Sequence, residues 1–253
     1  MKKRIFYYTN NTKEVINFNV KKIKIDEHYK YKNKNVFYNI FSFVTYYLLA
    51  KPIAWFYFKL IKRVKFKNKK VLNPYIKNGF FVYANHTHQF CDCFCPALIC
   101  FTKKPHIIVN ADNVSIPFWG KLFKMWGALP VPENILATKN FYKAVETIVN
   151  KNPIIIYPEE HLWPYYTKIR EFSNTSFRYP VKFNKPTFTF TTVYKKHKLK
   201  KPKIEIYIDG PFFIDTNLTE KENQQTLKDK VFAQLNNRAS LSNIEYVKYI
   251  KKD

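Results

Sequence analysis

The sequence predicts an α/β fold: a mostly parallel or mixed central sheet flanked by helices, preceded by an N-terminal helical segment suited to docking on a membrane. Three observations carry this. From residue 79 onward, short apolar runs alternate with helical patterns, as in sheets covered by helices. An apolar and aromatic stretch, residues 36–61, lies upstream and leads into a dense basic run. With 253 residues and 46% hydrophobic content, the chain can bury a real core.

The elements follow in order. Residues 1–35 carry ten Lys/Arg against three acids and no helical period, so short strand or coil is expected. VFYNIFSFVTYYLLAKPIAWFYFKLI, residues 36–61, is interrupted by Lys51 and Pro52. Pro52 should break a helix there. Val36 to Ala50 would give ~22 Å of helix, short of a bilayer span. Two short helices lying in one leaflet are expected. KRVKFKNKK, residues 62–70, adds six bases, and apolar burial beside basic charge is what an interfacial anchor needs.

GFFVYAN (79–85), HIIVN (106–110), GALPV (127–131) and PIIIYPE (153–159) read as strands. TFTFTTVY (187–194) and KIEIYIDG (203–210) read as further, alternating strands. A helix begins near Asp92 and runs through PALICF. SIPFWGKLFKMW (115–126) reads as a helix with Ser115 as N-cap and Pro117 in its first turn. TKNFYKAVETIVN (138–150) has helical apolar spacing. Residues 219–237 open with a capping box, Thr219 and Glu222. The expected organisation is a basic segment 1–35, docking helices and basic patch 36–70, and a catalytic domain 71–253.

A formal net charge of +26 favours anionic partners such as nucleic acid, lipid head groups or phosphorylated substrates. A lysine-rich compositional bias accounts for part of it. No helix-turn-helix, RNP or zinc-finger pattern supports nucleic acid. Glycine is scarce, and no glycine-rich phosphate loop occurs. MKKRIFYYTNNTKEV lacks the apolar core of a secretory signal. The four cysteines, Cys91, Cys93, Cys95 and Cys100, fall within ten residues. That clustering suggests reduced thiols in a cytosolic setting rather than a disulfide framework.

Two strand ends carry unusual residues: NHTHQFCD (85–92) and YPEEHLW (157–163). Carboxyl ends of strands frame the ligand crevice of open α/β sheets. A histidine there suits deprotonation of a hydroxyl that attacks a thioester, and a neighbouring carboxylate fixes its tautomer. His86 is the candidate base and Asp92 its orienter. His88 is an alternative base or a substrate contact.

The blocks NHTHQFCD, GALPVPE, IIIYPEEH and TFTFTTVY, in this order and spacing, resemble the glycerophospholipid acyltransferase family, typified by 1-acylglycerol-3-phosphate acyltransferase. The similarity covers roughly residues 36–215, including the upstream docking segment. Asn85, His86 and Asp92 match the family's first block, except that five residues rather than four separate His86 from Asp92. The chain is more similar to a branch with NHT-type blocks than to the archetype. Tyr157, Pro158 and Glu159 match the third block, but Glu160, His161 and Leu162 replace its Gly-Thr-Arg. No arginine ends GALPVPEN, where the family places one for the acceptor phosphate.

The resemblance implies transfer of a fatty acyl group from acyl-CoA or acyl carrier protein to a lysophospholipid. It needs no metal or organic cofactor, and 1-acylglycerol-3-phosphate is the leading acceptor. Asn85 and Glu159 become expected substrate-binding residues, and Lys168, Arg170 and Arg178 candidate replacements for the missing arginines. The expected place is the cytoplasmic face of a membrane, peripheral or monotopic, with no nucleic-acid partner. The first rival reading is a zinc site built from the His/Cys cluster 86–95, and the second, less favoured, is a basic nucleic-acid-binding protein. Alternate residues on a helix diverge by about 200°, which works against the zinc site.

Overall fold

The computed structural model describes residues 4–9, 20–100, 102–197 and 202–252. Among the described residues nine strands form two sheets: β1 (Arg4–Tyr8), β2 (Lys65–Lys67), β3 (Phe81–Ala84), β4 (His106–Val109), β5 (Ala128–Pro130), β6 (Ile154–Ile156), β7 (Thr187–Lys195), β8 (Lys203–Phe212) and β9 (Val247–Lys251). Seven make the main sheet, in the order β2-β8-β7-β3-β6-β4-β5, while β1 and β9 pair separately. All neighbours run parallel except β7 and β8. The predicted mixed sheet is therefore present. The basic stretch contributes its edge strand β2.

Strand β3 sits between β6 and β7, with Tyr83 opposite Ile156 and Ala84 opposite Phe190. This register brings the turn after β3 beside the turn after β6. The two strand-end motifs thus meet at the carboxyl ends of two adjacent central strands.

Both sheet faces are covered. Val82, Ala84 and Phe190 face a core shared with Cys91, Cys95 and Leu98 of the helix Gln89–Ile99. Phe81 and Tyr83 face a second core with the helices Ile135–Val149 and Glu220–Ala239. The capping box at Thr219 and Glu222 forms as expected. Strand β7 forms where the alternating pattern places it, and its threonines Thr187, Thr189 and Thr191 are as fully buried as the phenylalanines between them. Gly79 enters β3 at φ +66, where a Cβ would lie 1.8 Å from the Val149 carbonyl oxygen. Only glycine fits so close an approach.

Pro52 does not divide the segment 36–61. The chain is helical from Val36 through Ile61, α-helical at Val36–Phe43 and Lys51–Trp55 and π-helical at Val44–Ala50 and Phe56–Ile61. The Thr45 hydroxyl donates to the Phe41 carbonyl at 2.9 Å as the helix widens. Pro52 then falls in the first turn of a new α segment, where its missing N–H is tolerated. No helix among the described residues is long and apolar enough to cross a membrane.

The helix expected over 115–126 is also corrected. Ser115 ends a short helix, Ala111–Ser115, and the next begins at Trp119 after Phe118 turns to φ +62. The Ser115 hydroxyl donates back to Ala111 and accepts from the Ile23 N–H, so it caps nothing downstream. Strand or coil is met at β1; residues 10–19 of the basic segment lie outside the described residues.

Candidate active site

The centre of the site is His86 and Asp92. His86 follows β3 directly, and Asp92 lies in the first turn of the helix Gln89–Ile99. His86 Nδ1 is 2.8 Å from Asp92 Oδ2. The backbone N–H groups of Thr87 and His88 also donate to that oxygen, each at 2.9 Å. The additional residue between His86 and Asp92 is therefore absorbed by wrapping the 86–88 turn around the carboxylate.

This network assigns the tautomer. Asp92 is buried, and its Oδ2 already accepts two N–H bonds, so it acts as acceptor toward the imidazole. His86 Nδ1 carries the proton, which leaves the Nε2 lone pair available. The ring keeps 21% exposure, while the Asp92 side chain keeps 3%. The imidazole is thus open to solvent, and the carboxylate that holds it is sealed. The helix N-terminus beside Asp92 favours its negative charge.

Tyr157 completes the support. Its ring stacks on His86 at 4.5 Å between centroids, and its hydroxyl donates to the Asp92 carbonyl at 2.6 Å. Burial holds that phenol well above its ordinary pKa, so it remains a donor. Sequence reasoning matched Tyr157 to a motif but gave it no role. Its place directly after the buried strand β6 was the available signal.

His88 is committed elsewhere. Its Nδ1 accepts from the Cys91 N–H at 3.3 Å and caps the helix, and burial lowers its pKa. His86 is the better-placed base.

The expected substrate-binding residues divide. Asn85 is 2% exposed, and its amide both donates to the Thr192 carbonyl and accepts the Thr192 N–H. It ties β3 to β7 from a buried position. Glu159 and Arg170 form a buried ion pair, Nε to Oε2 at 3.1 Å. Arg170 also donates to the His161 carbonyl and stacks over Trp163 at 4.8 Å. Arg170 thus braces the loop after β6 rather than facing an acceptor phosphate. Burial pushes the Glu159 carboxyl up to about 8; Arg170 opposes this and the Asp92 charge adds to it.

Arg178 sits over Tyr142 and Tyr179. Its helix, Arg178–Phe183, packs on the sheet face opposite the helix that carries Asp92. It does not join the site. Lys168 is the exposed member of the three candidate cations. The sequence placed these residues near one another in number, but loop folding and burial separated them in role.

The cysteines do not assemble a metal centre. Cys91 and Cys95 point into the core from successive turns, and Cys93 lies on the exposed side. Among the described residues no group of three or more His, Cys, Asp or Glu side chains converges as a metal ion requires.

Comparison with known proteins bears on the family and on the fold. The acyltransferase family model matches residues 63–193, just over half of the chain, and includes both strand-end motifs. No curated protein matches the sequence. Among solved structures, the fold is similar to the 1-acyl-sn-glycerophosphate (LPA) acyltransferase PlsC from Thermotoga maritima. The TM-score is 0.51 at 16% identity, over 79% of this chain and 88% of that one.

Proposed function

Because this chain belongs to the acyltransferase family, we propose that it moves a fatty acyl group from an acyl thioester to the free hydroxyl of a lysophospholipid, with 1-acylglycerol-3-phosphate as acceptor. The observation that carries this reading is the His86–Asp92 pair, with Nδ1 held by a sealed carboxylate and Nε2 left available.

In this mechanism the acceptor hydroxyl lies against His86 Nε2. Its oxygen attacks the thioester carbonyl carbon while Nε2 takes the proton. Asp92 holds the imidazolium that forms. The tetrahedral intermediate then expels the thiolate, and the imidazolium returns its proton to the leaving sulfur. An ester forms, the thioester C–S bond breaks, and no acyl-enzyme is required. Acyl-CoA or acyl carrier protein serves as donor, and no metal or organic cofactor takes part.

The place of action is the cytoplasmic face of a membrane, with the chain bound as a peripheral or monotopic protein. Support comes from the helical segment 36–61. Its inner residues Ala54 and Phe58 are buried in the core, while Phe37, Ile40, Leu48, Ile53, Phe56 and Ile61 are each more than half exposed. Burying such a side chain contributes ~1.5–3 kcal/mol, and the basic stretch 62–70 adds attraction to anionic lipid. No nucleic-acid partner is proposed.

The test is acyl transfer from labelled acyl-CoA and acyl carrier protein to a panel of lysolipids, with His86→Ala alongside. Product with 1-acylglycerol-3-phosphate, absent in the variant, is expected. A fully active variant would remove His86 as base; transfer only to uncharged acceptors would remove the phosphate from the acceptor.

A further inference from the structure

The loop that backs His86 is strained and needs support. Glu160 and Tyr165 sit at φ +64 and +61, conformations that side chains other than glycine avoid. Such backbone persists where its surroundings over-determine it. This loop is bonded to the catalytic turn at three points. The Trp163 N–H donates to the His86 carbonyl at 3.1 Å and the Tyr165 N–H to the Thr87 carbonyl at 2.8 Å. The Thr87 hydroxyl donates to the Tyr166 carbonyl at 2.8 Å. Any drift of residues 163–166 is therefore transmitted to His86.

On its outer side the loop is held by the two-stranded ribbon β1–β9. Tyr249 of β9 stacks on Trp163 at 4.9 Å and 10°, and Tyr8 of β1 packs on the same indole at 4.8 Å. The Tyr249 hydroxyl donates to the Pro164 carbonyl at 2.9 Å. Tyr166 meets Tyr249 edge-on at 5.2 Å. Among the described residues the ribbon makes no strand pairing with the main sheet. An isolated two-stranded ribbon is marginal by itself, so ribbon and loop stabilise each other around Trp163, which is 1% exposed.

We propose that the β1–β9 ribbon is a clamp on the catalytic turn, with Tyr249 and Tyr8 as positioning residues that hold His86 in register with its substrate through Trp163. The proposal rests on His86 being the base. It concerns rate rather than substrate affinity, since neither tyrosine bonds to His86 or Asp92 directly.

The test uses the full chain and two readouts. Amide hydrogen exchange is followed at Trp163 and Tyr165. Turnover is followed with palmitoyl-CoA and 1-acylglycerol-3-phosphate in mixed micelles. In Tyr249→Ala, and in Tyr8→Ala as the second variant, exchange at those amides should quicken roughly tenfold. Their kcat should fall roughly tenfold with KM within about twofold. Tyr249→Phe, which keeps the stack, should restore at least about half of kcat. Tyr7→Ser, at an exposed position of β1, should leave both readouts unchanged.

Unchanged exchange and kcat in both alanine variants would overturn the clamp. So would equal loss in Tyr249→Phe and Tyr7→Ser, or quickened exchange that extends equally to Val82 and Ile155 of the main sheet. The exchange readout does not need the acceptor to be right. An inactive wild type with quickened loop exchange in the variants would count against the acyltransfer reading and leave the clamp standing.

Discussion

The turn at residues 86–92 and the helical segment at 36–61 treat their side chains in opposite ways. In the turn, polar groups face inward and are paired: Asp92 Oδ2 meets three nitrogens, and His88 caps a helix. In the helix, apolar groups face outward without protein cover. Yet the two meet. Ala54 and Phe58 share a core with Cys91 and Cys95 of the helix that carries Asp92. One region uses its polar groups to fix a single imidazole, and the other leaves its apolar groups uncovered. On the proposed function, the first is the reaction centre and the second the docking surface.

The largest break in this contrast is expected from His86→Ala. Loss of a general base should lower turnover roughly 10³- to 10⁴-fold, with thermal unfolding and vesicle binding unchanged. A rate assay beside circular dichroism and vesicle co-sedimentation measures all three. Asp92→Asn comes next. An amide in place of Oδ2 sets N–H against N–H or forces the other His86 tautomer, so turnover should fall roughly 10²- to 10³-fold. Stability should also drop by about 1–3 kcal/mol, read from denaturant midpoints, because buried donors lose their acceptor.

The outward-facing helix should answer to a different readout. Ile40→Asp with Ile53→Asp should weaken co-sedimentation with anionic vesicles by roughly tenfold or more. Turnover of a short-chain, water-soluble acceptor should stay within about twofold. If that soluble turnover fell as far as binding did, the helix would be working through the shared core instead.

A prediction of a different kind, on stability against pH, concerns Glu159. Its carboxyl is raised from the ordinary 4.5 to about 8 in the folded chain. A raised pKa gives a contribution that is complete below about 4.5 and fades as pH climbs through 8. Wild type should therefore lose stability between pH 5 and 8, and Glu159→Gln should flatten that slope. Chemical denaturation at several pH values checks it.

How much of this was legible in the sequence varied with the kind of interaction. Strands β3, β4 and β6 announced themselves because contiguous apolar runs between turns leave few alternatives. The His86–Asp92 pair was legible because a strand end followed by a helix start constrains where an acid six residues on can reach. Arg170 was not, since nothing local says that its guanidinium turns inward to Glu159 and Trp163. Pro52 misled because helix breaking presumes an α ladder, and the π-helical stretch before it changes the bonding pattern. The ribbon was invisible for a plainer reason: Tyr8 and Tyr249 lie at opposite ends of the described chain, and pairing across that distance leaves no local period.

Gly79 has a wider meaning in a chain with four glycines. A methyl group would meet Val149 at 1.8 Å from Gly79, Val114 at 2.2 Å from Gly120, Pro105 at 2.7 Å from Gly127 and Phe188 at 2.8 Å from Gly210. In a composition so rich in lysine, glycine stands where a methyl group finds no room. In a saturation library these four positions should stand out as the least replaceable in the chain, a map of its tightest crossings written in its rarest small residue.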